Sequence, residues 1–431
     1  VRYVTHAYQY ALRCCALQGL FGKLFYNGQS MILTNKKIPL GYKVAVGGIA
    51  VTVGYVLFAL LAPAPKPVVL LAVSSGVLDT GQPNMTAWPA TGGAAIGAMG
   101  SGVLATNNAD QPTPTASIAK VILAMAVLKQ RPLQLGQPGQ TITFTENDIA
   151  IYKADLALNG SVVPVNVGEQ LSEYQALEAL MLPSGNNIAS SLANWAFGSE
   201  QQYITYAAKM LSDLGLSKTH LDDTSGYSPK TVSTPRELVL IGEEALKNQV
   251  LAQIVNQKQA TLPVAGTVNN VNTDLGQRDV NGIKTGNTDE AGGCLLFSAT
   301  RRIGNKDVTL VGAVQALPDI QQALNAAPDL VDNGYLNFVY VPGLPAQVGT
   351  MTVPWAKPVN IIPSNEVGQV VWSGAPLKRD IAVHPGLYGN VGQAKIGNQT
   401  SDLILESAIP QPSLRWRLTH PLQIIKGFIS H

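Results

Sequence analysis

The chain has 431 residues, 46% of them apolar and only 13% charged, with 41 Gly and 27 Pro, which suits a folded protein of two or three domains and excludes a disordered polyelectrolyte. The net charge of +2 conceals an asymmetry, because residues 1–66 carry seven basic side chains and no acid, leaving the rest at −5. An acidic body is a poor partner for polyanions and argues against nucleic acid.

Residues 1–43 are a basic segment holding Arg2, Arg13, Lys23, Lys36, Lys37 and Lys43, and no function is assigned to residues 1–40. Residues 44–62 contain no charge and end in the apolar run Tyr55 to Ala62. About 20 apolar residues cross a bilayer as a helix. Basic residues ahead of the span place the N-terminus in the cytoplasm and the body outside, as a single-pass membrane protein. The competing reading is a cleaved signal peptide, since Ala62-Pro63-Ala64 has a small-x-small form. Pro65 after such a cut, and the long basic stretch before it, argue against cleavage. A buried core helix fits less well, given Gly47, Gly48 and Gly54 and the one-sided charge. Residues 63–90 are taken as a tether, stiff from Pro63 to Pro67 and with no assignable element over 68–90.

The segment 91–340 carries the regular patterns. Ala94 to Ala105 reads as a hairpin turning at Gly100-Ser101-Gly102. The apolar run Ile118 to Leu128 predicts a buried helix starting at or just before Ser117. Further helices are expected at Glu173–Met181, Asn187–Trp195, Glu200–Leu214 and Pro235–Lys247. The last follows Ser233-Thr234-Pro235, a cap with Pro in the first turn. Strands follow at Val280–Lys284, Cys294–Thr300 and Val308–Val314, with a helix after Pro318. Strands at both ends and helices between them give an α+β domain. From Val341 to about residue 410, short alternating runs between Gly and Pro turns read as a small all-β domain. The tail 411–431 mixes Arg415 and Arg417 with apolar residues; contact with a membrane surface and a loose tail limited by Pro421 both stay open. Cys14 and Cys15 precede the span and Cys294 stands alone beyond it, so the exported part has no disulfide framework. Cys294 reads as a core strand residue.

Three short strings carry the chemistry: Ser117-Ile118-Ala119-Lys120, Ser184-Gly185-Asn186 and Lys284-Thr285-Gly286. An S-x-x-K string alone is weak, but it and K-T-G each occur once, in the order of the serine acyl-transfer motif set. On a helix, Lys120 lies one turn after Ser117, on the same face. A serine hydroxyl needs a base in contact, and burial with a second cation, Lys284, lowers the Lys120 pKa enough to supply one. Ser184 then passes a proton to the leaving amine, and Asn186 bonds substrate and Lys120. Lys284 ends a strand and anchors negative charge, Thr285 bonds a substrate carboxylate, and Gly286 allows close backbone approach. The amides of Ser117 and Asn287 form an oxyanion hole. The bland alternatives are a helix cap for Ser117, turn chemistry for Ser184-Gly185-Asn186 and an ordinary turn for Lys284-Thr285-Gly286. An isolated lysine in the otherwise uncharged run after Ser117 favours catalysis. No cofactor or metal is implied: the five histidines show no paired spacing for zinc, no G-x-S-x-G elbow is present, and His220 reads as structural.

These residues resemble the low-molecular-mass penicillin-binding proteins that act as D-alanyl-D-alanine carboxypeptidases. Thr115 to Lys120 is similar to that family's nucleophile segment, and Leu182 to Asn187 to its second motif. Ser225-Gly226-Tyr227-Ser228 with Ser233 to Leu238 is similar to its linker and helix, and Asn281 to Thr288 to its third motif. The resemblance runs from about Ala94 to Val341. It implies a β-lactamase/DD-peptidase-like domain, a sheet plus a helical region, followed by the small all-β domain. It also implies peptidoglycan stem peptides as substrate and β-lactam antibiotics as acylating inhibitors. One departure bears on substrate binding. An arginine often follows the family's last core strand, where Ala316-Leu317-Pro318-Asp319 stands here, so carboxylate recognition shifts to Thr285 and Arg278. The expected reaction is release of terminal D-alanine through an acyl-enzyme on Ser117. The rivals are a DD-endopeptidase, a β-lactamase, for which the chain lacks an E-x-x-L-N string, and a non-catalytic wall-binding protein.

Overall fold

The computed structural model describes residues 39–304 and 306–429. Most of the basic segment, with Arg2, Arg13, Lys23, Lys36, Lys37, Cys14 and Cys15, lies outside the described residues. The described residues form two compact units, one of residues 39–66, 353–356 and 411–429, the other of residues 67–352 and 357–410.

The smaller unit is built on α1 (Leu40–Leu61), 22 residues long. At 1.5 Å per residue it reaches ~33 Å, enough to span a membrane, and it is the one such helix among the described residues. The tail folds into two short helices, Leu414–Thr419 and Pro421–Ile429. Pro421 starts the second helix rather than limiting it, because the first turn needs no proline N–H. Ser413 caps the first by accepting from the Trp416 amide. Tyr55 Oη donates to Leu418 O at 2.7 Å, and Arg417 Nη1 donates to Ala59 O at 3.1 Å and Ala62 O at 2.8 Å. Arg417 thereby satisfies carbonyls that the end of α1 leaves open.

In the larger unit, two short strands come first, β1 (Val68–Leu71) and β2 (Gly76–Leu78). They correct the tether expected at residues 63–90. Both belong to a seven-stranded antiparallel sheet otherwise drawn from residues 349–405, and they occupy its opposite edges. A flat seven-stranded sheet is ~29 Å from edge to edge, yet four residues join β1 to β2, a reach of about 17 Å. The sheet must therefore curl, and one stretch of chain supplies both of its edge strands, which are short.

The catalytic region is a five-stranded sheet with helices on both faces. Its strands are β3 (Gly93–Ala98), β4 (Gly102–Asn107), β5 (Val280–Thr288), β6 (Gly292–Ile303) and β7 (Lys306–Leu317), in the order β5-β6-β7-β3-β4. The hairpin expected at Ala94–Ala105 is β3-β4. Strand β5 runs through Thr288, so Lys284-Thr285-Gly286 sits inside the strand rather than at its end. Ser117 lies in a 3-10 turn, Ala116–Ile118, that leads into α2 (Ala119–Gln130). The helical region continues with α3 (Glu146–Ala157), α4 (Glu173–Met181), α5 (Asn186–Phe197), α6 (Glu200–Asp213), α7 (Pro235–Leu246) and α8 (Gln249–Val255). Of these, α3 and α8 have no counterpart in the sequence reading. Helix α9 (Ile320–Tyr335) covers the other face of the sheet. One core joins α2, α4, α5 and α7 to the sheet, with Ile118, Ile122, Leu123, Leu177 and Leu180 at 1% exposure or less. A second core sets β3, β6 and β7 against α9 and Trp372.

Candidate active site

The three motif strings converge beside the edge strand β5. Lys120, on α2, is fully buried. Its Nζ lies 2.7 Å from Ser117 Oγ, 2.7 Å from Asn186 Oδ1 and 3.1 Å from Ser225 O. An ammonium donates to all three; a neutral amine donates to Asn186 and Ser225 and offers its lone pair to the Ser117 hydroxyl. Burial lowers the Lys120 pKa to about 7, against the opposing charges of Asp223 and Asp155. Burial also pushes Lys284 well below the usual lysine range, and the Lys120 charge adds to this. Desolvation is thus the main lever on Lys120, where the sequence also invoked a second cation.

Backbone geometry holds Ser117. Ala116 has φ +45°, a strained value for a residue with a side chain. Glycines flank it on two sides. A β-carbon on Gly286 would stand 3.1 Å from Ser117 N, and one on Gly226 would stand 1.8 Å from Ala116 O. Gly226 also has φ +80°, so both space and conformation require glycine there. The Ser225-Gly226 turn is shaped by Asp223, whose Oδ2 accepts from Ser225 N at 3.2 Å and Tyr227 N at 2.9 Å.

Ser184 is buried with φ +66°, and among the described residues its Oγ has no hydrogen-bond partner; nor has the buried Lys284 Nζ. Buried polar atoms are nearly always paired, so these two mark where a polar ligand fits. Thr285 is buried next to Lys284 on β5, and Asn287 is exposed. Asn187 does not face the chemistry. Its amide pins the preceding loop, donating to Val163 O and accepting from Val163 N, both at 2.9 Å.

Arg278 is the sequence-named residue that the fold takes elsewhere. It precedes β5 at the end opposite Asn287, with Nη1 2.8 Å from Asp329 Oδ1 and 3.0 Å from Asp332 Oδ2 on α9. It sits in a left-handed turn with Asp279, before the strand starts at Val280, and four residues of strand, ~13 Å, then separate Val280 from Lys284. The two α9 carboxylates hold its charge away from the motif residues.

A cavity of about 530 Å³ opens over Ser117 and Asn186, lined also by Leu158–Ser161, Gly226–Pro229 and Asn287–Glu290. Tyr227 Oη donates to Leu158 O at 3.1 Å, tying two of these segments together. Asp155, Asp223, the Leu158–Ser161 loop and the Asp289-Glu290 pair escaped sequence reasoning. Only the Asn159-Gly160 turn pair gave a local signal, since carboxylates acting through space leave no spacing to read. Cys294 is buried in β6, and burial pushes its thiol up to about 11, the inert behaviour expected of a core residue. His220 pairs with Val232 through its backbone, in keeping with a structural role. Among the described residues no group of His, Cys, Asp and Glu could hold a metal.

The family profile described as D-alanyl-D-alanine carboxypeptidase matches residues 87–314. A D-alanyl-D-alanine carboxypeptidase of Streptomyces sp. (strain K15) is 31% identical over 264 residues, 57% of this chain and 87% of that protein. The D-alanyl-D-alanine carboxypeptidase DacA of Escherichia coli is 28% identical over 209 residues, so the match spans 46% of this chain and 50% of that relative. A D-alanyl-D-alanine endopeptidase of Pseudomonas aeruginosa is 29% identical over 235 residues, 52% of this chain and 70% of the relative. The crystal structure of the Streptomyces K15 DD-transpeptidase superimposes with a TM-score of 0.52 at 29% identity, over 59% of this chain and 99% of that one. Penicillin binding protein 5 from Haemophilus influenzae, at 19% identity, shares the fold over 76% of this chain and 99% of its own, with a TM-score of 0.55. Ser117 in contact with a buried lysine, on a DD-peptidase fold whose family profile covers more than half the sequence, identifies the chain as a member of the serine-type D-alanyl-D-alanine carboxypeptidase family.

Proposed function

We propose that the protein removes the terminal D-alanine from peptidoglycan stem peptides through an acyl-enzyme on Ser117. The observation that carries the residue assignment is the Lys120 Nζ triad of contacts at 2.7, 2.7 and 3.1 Å in a fully buried setting. Neutral Lys120 takes the Ser117 proton as Oγ attacks the carbonyl carbon of the penultimate residue. The carbonyl oxygen becomes an oxyanion held by the amides of Ser117 and Asn287, each worth ~3–4 kcal/mol to the transition state. Collapse breaks the peptide bond. Ser184 passes a proton to the leaving amine, and D-alanine departs. Water then hydrolyses the ester and restores Ser117. Lys284 and Thr285 hold the substrate carboxylate, and Gly286 lets the substrate backbone approach the strand.

The same serine opens β-lactams. With no E-x-x-L-N string to supply a deacylating glutamate, the penicilloyl ester is long-lived. Crosslink cleavage is the second reading, favoured by the similarity to the Pseudomonas endopeptidase. Helix α1 is the membrane attachment, with the basic segment on the cytoplasmic side and the catalytic unit outside, where the wall polymer lies.

The test is D-alanine release from a peptide ending in Lys-D-Ala-D-Ala, run beside Ser117→Ala. Release by the parent and none by the variant supports the assignment. A folded parent that releases nothing, yet cuts crosslinked dimers, moves the activity to the endopeptidase.

A further inference from the structure

Asp223, half-buried in the loop between α6 and α7, spends its carboxylate on neutral donors of its own loop. Its Oδ2 accepts from Ser225 N at 3.2 Å, Ser225 Oγ at 2.8 Å and Tyr227 N at 2.9 Å, and its Oδ1 accepts from Thr231 Oγ1 at 2.5 Å. Thr231 is fully buried and carries the connection further. Its carbonyl accepts from Thr115 N at 3.1 Å, and the next residues, Val232 and Ser233, pair with Pro114 and Thr113. Thr115 and Ala116 lead directly into Ser117. The carboxylate therefore fastens two segments: one bears the Ser225 carbonyl and Gly226, the other bears Ser117.

The valence of an amine says why the Ser225 carbonyl matters. Neutral Lys120 has two N–H bonds and one lone pair. Asn186 Oδ1 at 2.7 Å and Ser225 O at 3.1 Å take the N–H groups, which leaves the lone pair facing Ser117 Oγ at 2.7 Å. With the carbonyl displaced, the amine is free to turn an N–H towards Ser117, and the hydroxyl proton then has no acceptor. Gly226 links the same turn to Ser117. A β-carbon there would meet Ala116 O at 1.8 Å, so movement of the turn is passed to the residue before Ser117.

We infer that Asp223 is a positioning residue for acylation: its hydrogen bonds hold the Ser225 carbonyl on Lys120 and, through Gly226 and Thr231, the turn that carries Ser117. The inference rests on the roles proposed above for Ser117 and Lys120. Asp223 also acts on Lys120 through space, as do Asp155 from α3 and Lys284 from β5. The test therefore separates its hydrogen bonds from its charge.

The experiment follows acylation of the full-length protein by benzylpenicillin across pH, beside Asp223→Ala, Asp223→Asn, Thr231→Val and Ser117→Ala. The final extent counts the molecules able to react, and the rate reports how well those molecules are arranged. Asp223→Ala is expected to lower the plateau rate ~10²-fold, the cost of a misplacement of about 1 Å. Asp223→Asn keeps an acceptor for the Ser225 and Tyr227 amides, so its plateau should stay within about threefold of the parent. Its acid limb should move to lower pH, because the negative charge that favours the Lys120 ammonium has gone. Thr231→Val leaves that charge in place, so it should lower the plateau about tenfold with the limb unmoved, and it carries the test if Asp223→Ala does not fold. Parent rates in the reacting fraction of Asp223→Ala and Thr231→Val, with only the extent or the Tm reduced, would make Asp223 structural and overturn the inference. A loss in Asp223→Asn as deep as in Asp223→Ala overturns it too, since charge and not placement is then at work. A folded parent that takes up no label, or a Ser117→Ala variant that still does, overturns the roles given to Ser117 and Lys120, and this inference with them.

Discussion

At the residue scale, burial fits Lys120 for the role of base proposed for it. Its pKa of about 7 means that the neutral form, which can accept the Ser117 proton, grows as pH rises through 7 and disappears below it. Acylation by benzylpenicillin is therefore expected to level off above about pH 8 and to fall about tenfold per unit below the pKa. An acid limb centred near 10 would show that Lys120 is not the base. Asp155 raises the Lys120 pKa through space, so Asp155→Asn is expected to move the acid limb to lower pH; a shift to higher pH contradicts this. Gly226→Ala meets Ala116 O at 1.8 Å and displaces the turn that carries Ser117. A misplacement of about 1 Å at reacting atoms costs ~10²-fold, so acylation should drop by at least that much in whatever protein folds.

At the scale of elements, helix starts were the best read. Thr234 was expected to cap α7, and its buried Oγ1 accepts from Glu237 N at 3.1 Å, with Pro235 in the first turn. Thr234→Ala is expected to cost about 1 kcal/mol, seen as a lower Tm with the acid limb of acylation unmoved. Helix α3 went unseen because its capping box, Thr145 with Asp148, is not followed by a continuous apolar stripe; none of its residues is fully buried. The third motif was placed at a strand end because the apolar pattern stops at Lys284. The strand continues because Thr285, Gly286 and Asn287 still pair with Leu295, Cys294 and Gly293. Backbone pairing needs no apolar side chain.

For the whole molecule, the main surprise is the use made of residues 68–78. Read as part of a tether, they form the two short edge strands of the C-terminal sheet, over Gly349–Val353 and Leu377–Val383. A chain starting at Gly81 exposes those two strands as new, longer edges, and exposed edges recruit other strands. Such a chain is expected to aggregate on gel filtration, while its soluble fraction still acylates, because β1 and β2 lie outside the motif-bearing sheet. A monodisperse truncated protein would show that the strands are dispensable. The smaller unit makes a similar point. The tail was left open between a loose segment and one at a membrane surface; Arg417 and Tyr55 bond it to α1 and remove the loose reading.

By itself the sequence determined the α+β class, the order of the main helices and strands, the membrane-length helix and the residues of the three motifs. Each of these rests on local spacing: apolar periodicity, caps, and a lysine three positions after a serine. Tertiary structure alone decided what depends on distance through space. It buried Lys120 and so lowered its pKa, brought the Ser225 carbonyl onto its Nζ, and placed Gly226 against the turn that carries Ser117. It also tied Arg278 to α9 and carried β1 and β2 to opposite edges of a sheet formed by residues far along the chain. Desolvation and strand pairing depend on which parts of the chain meet, and no local pattern records that.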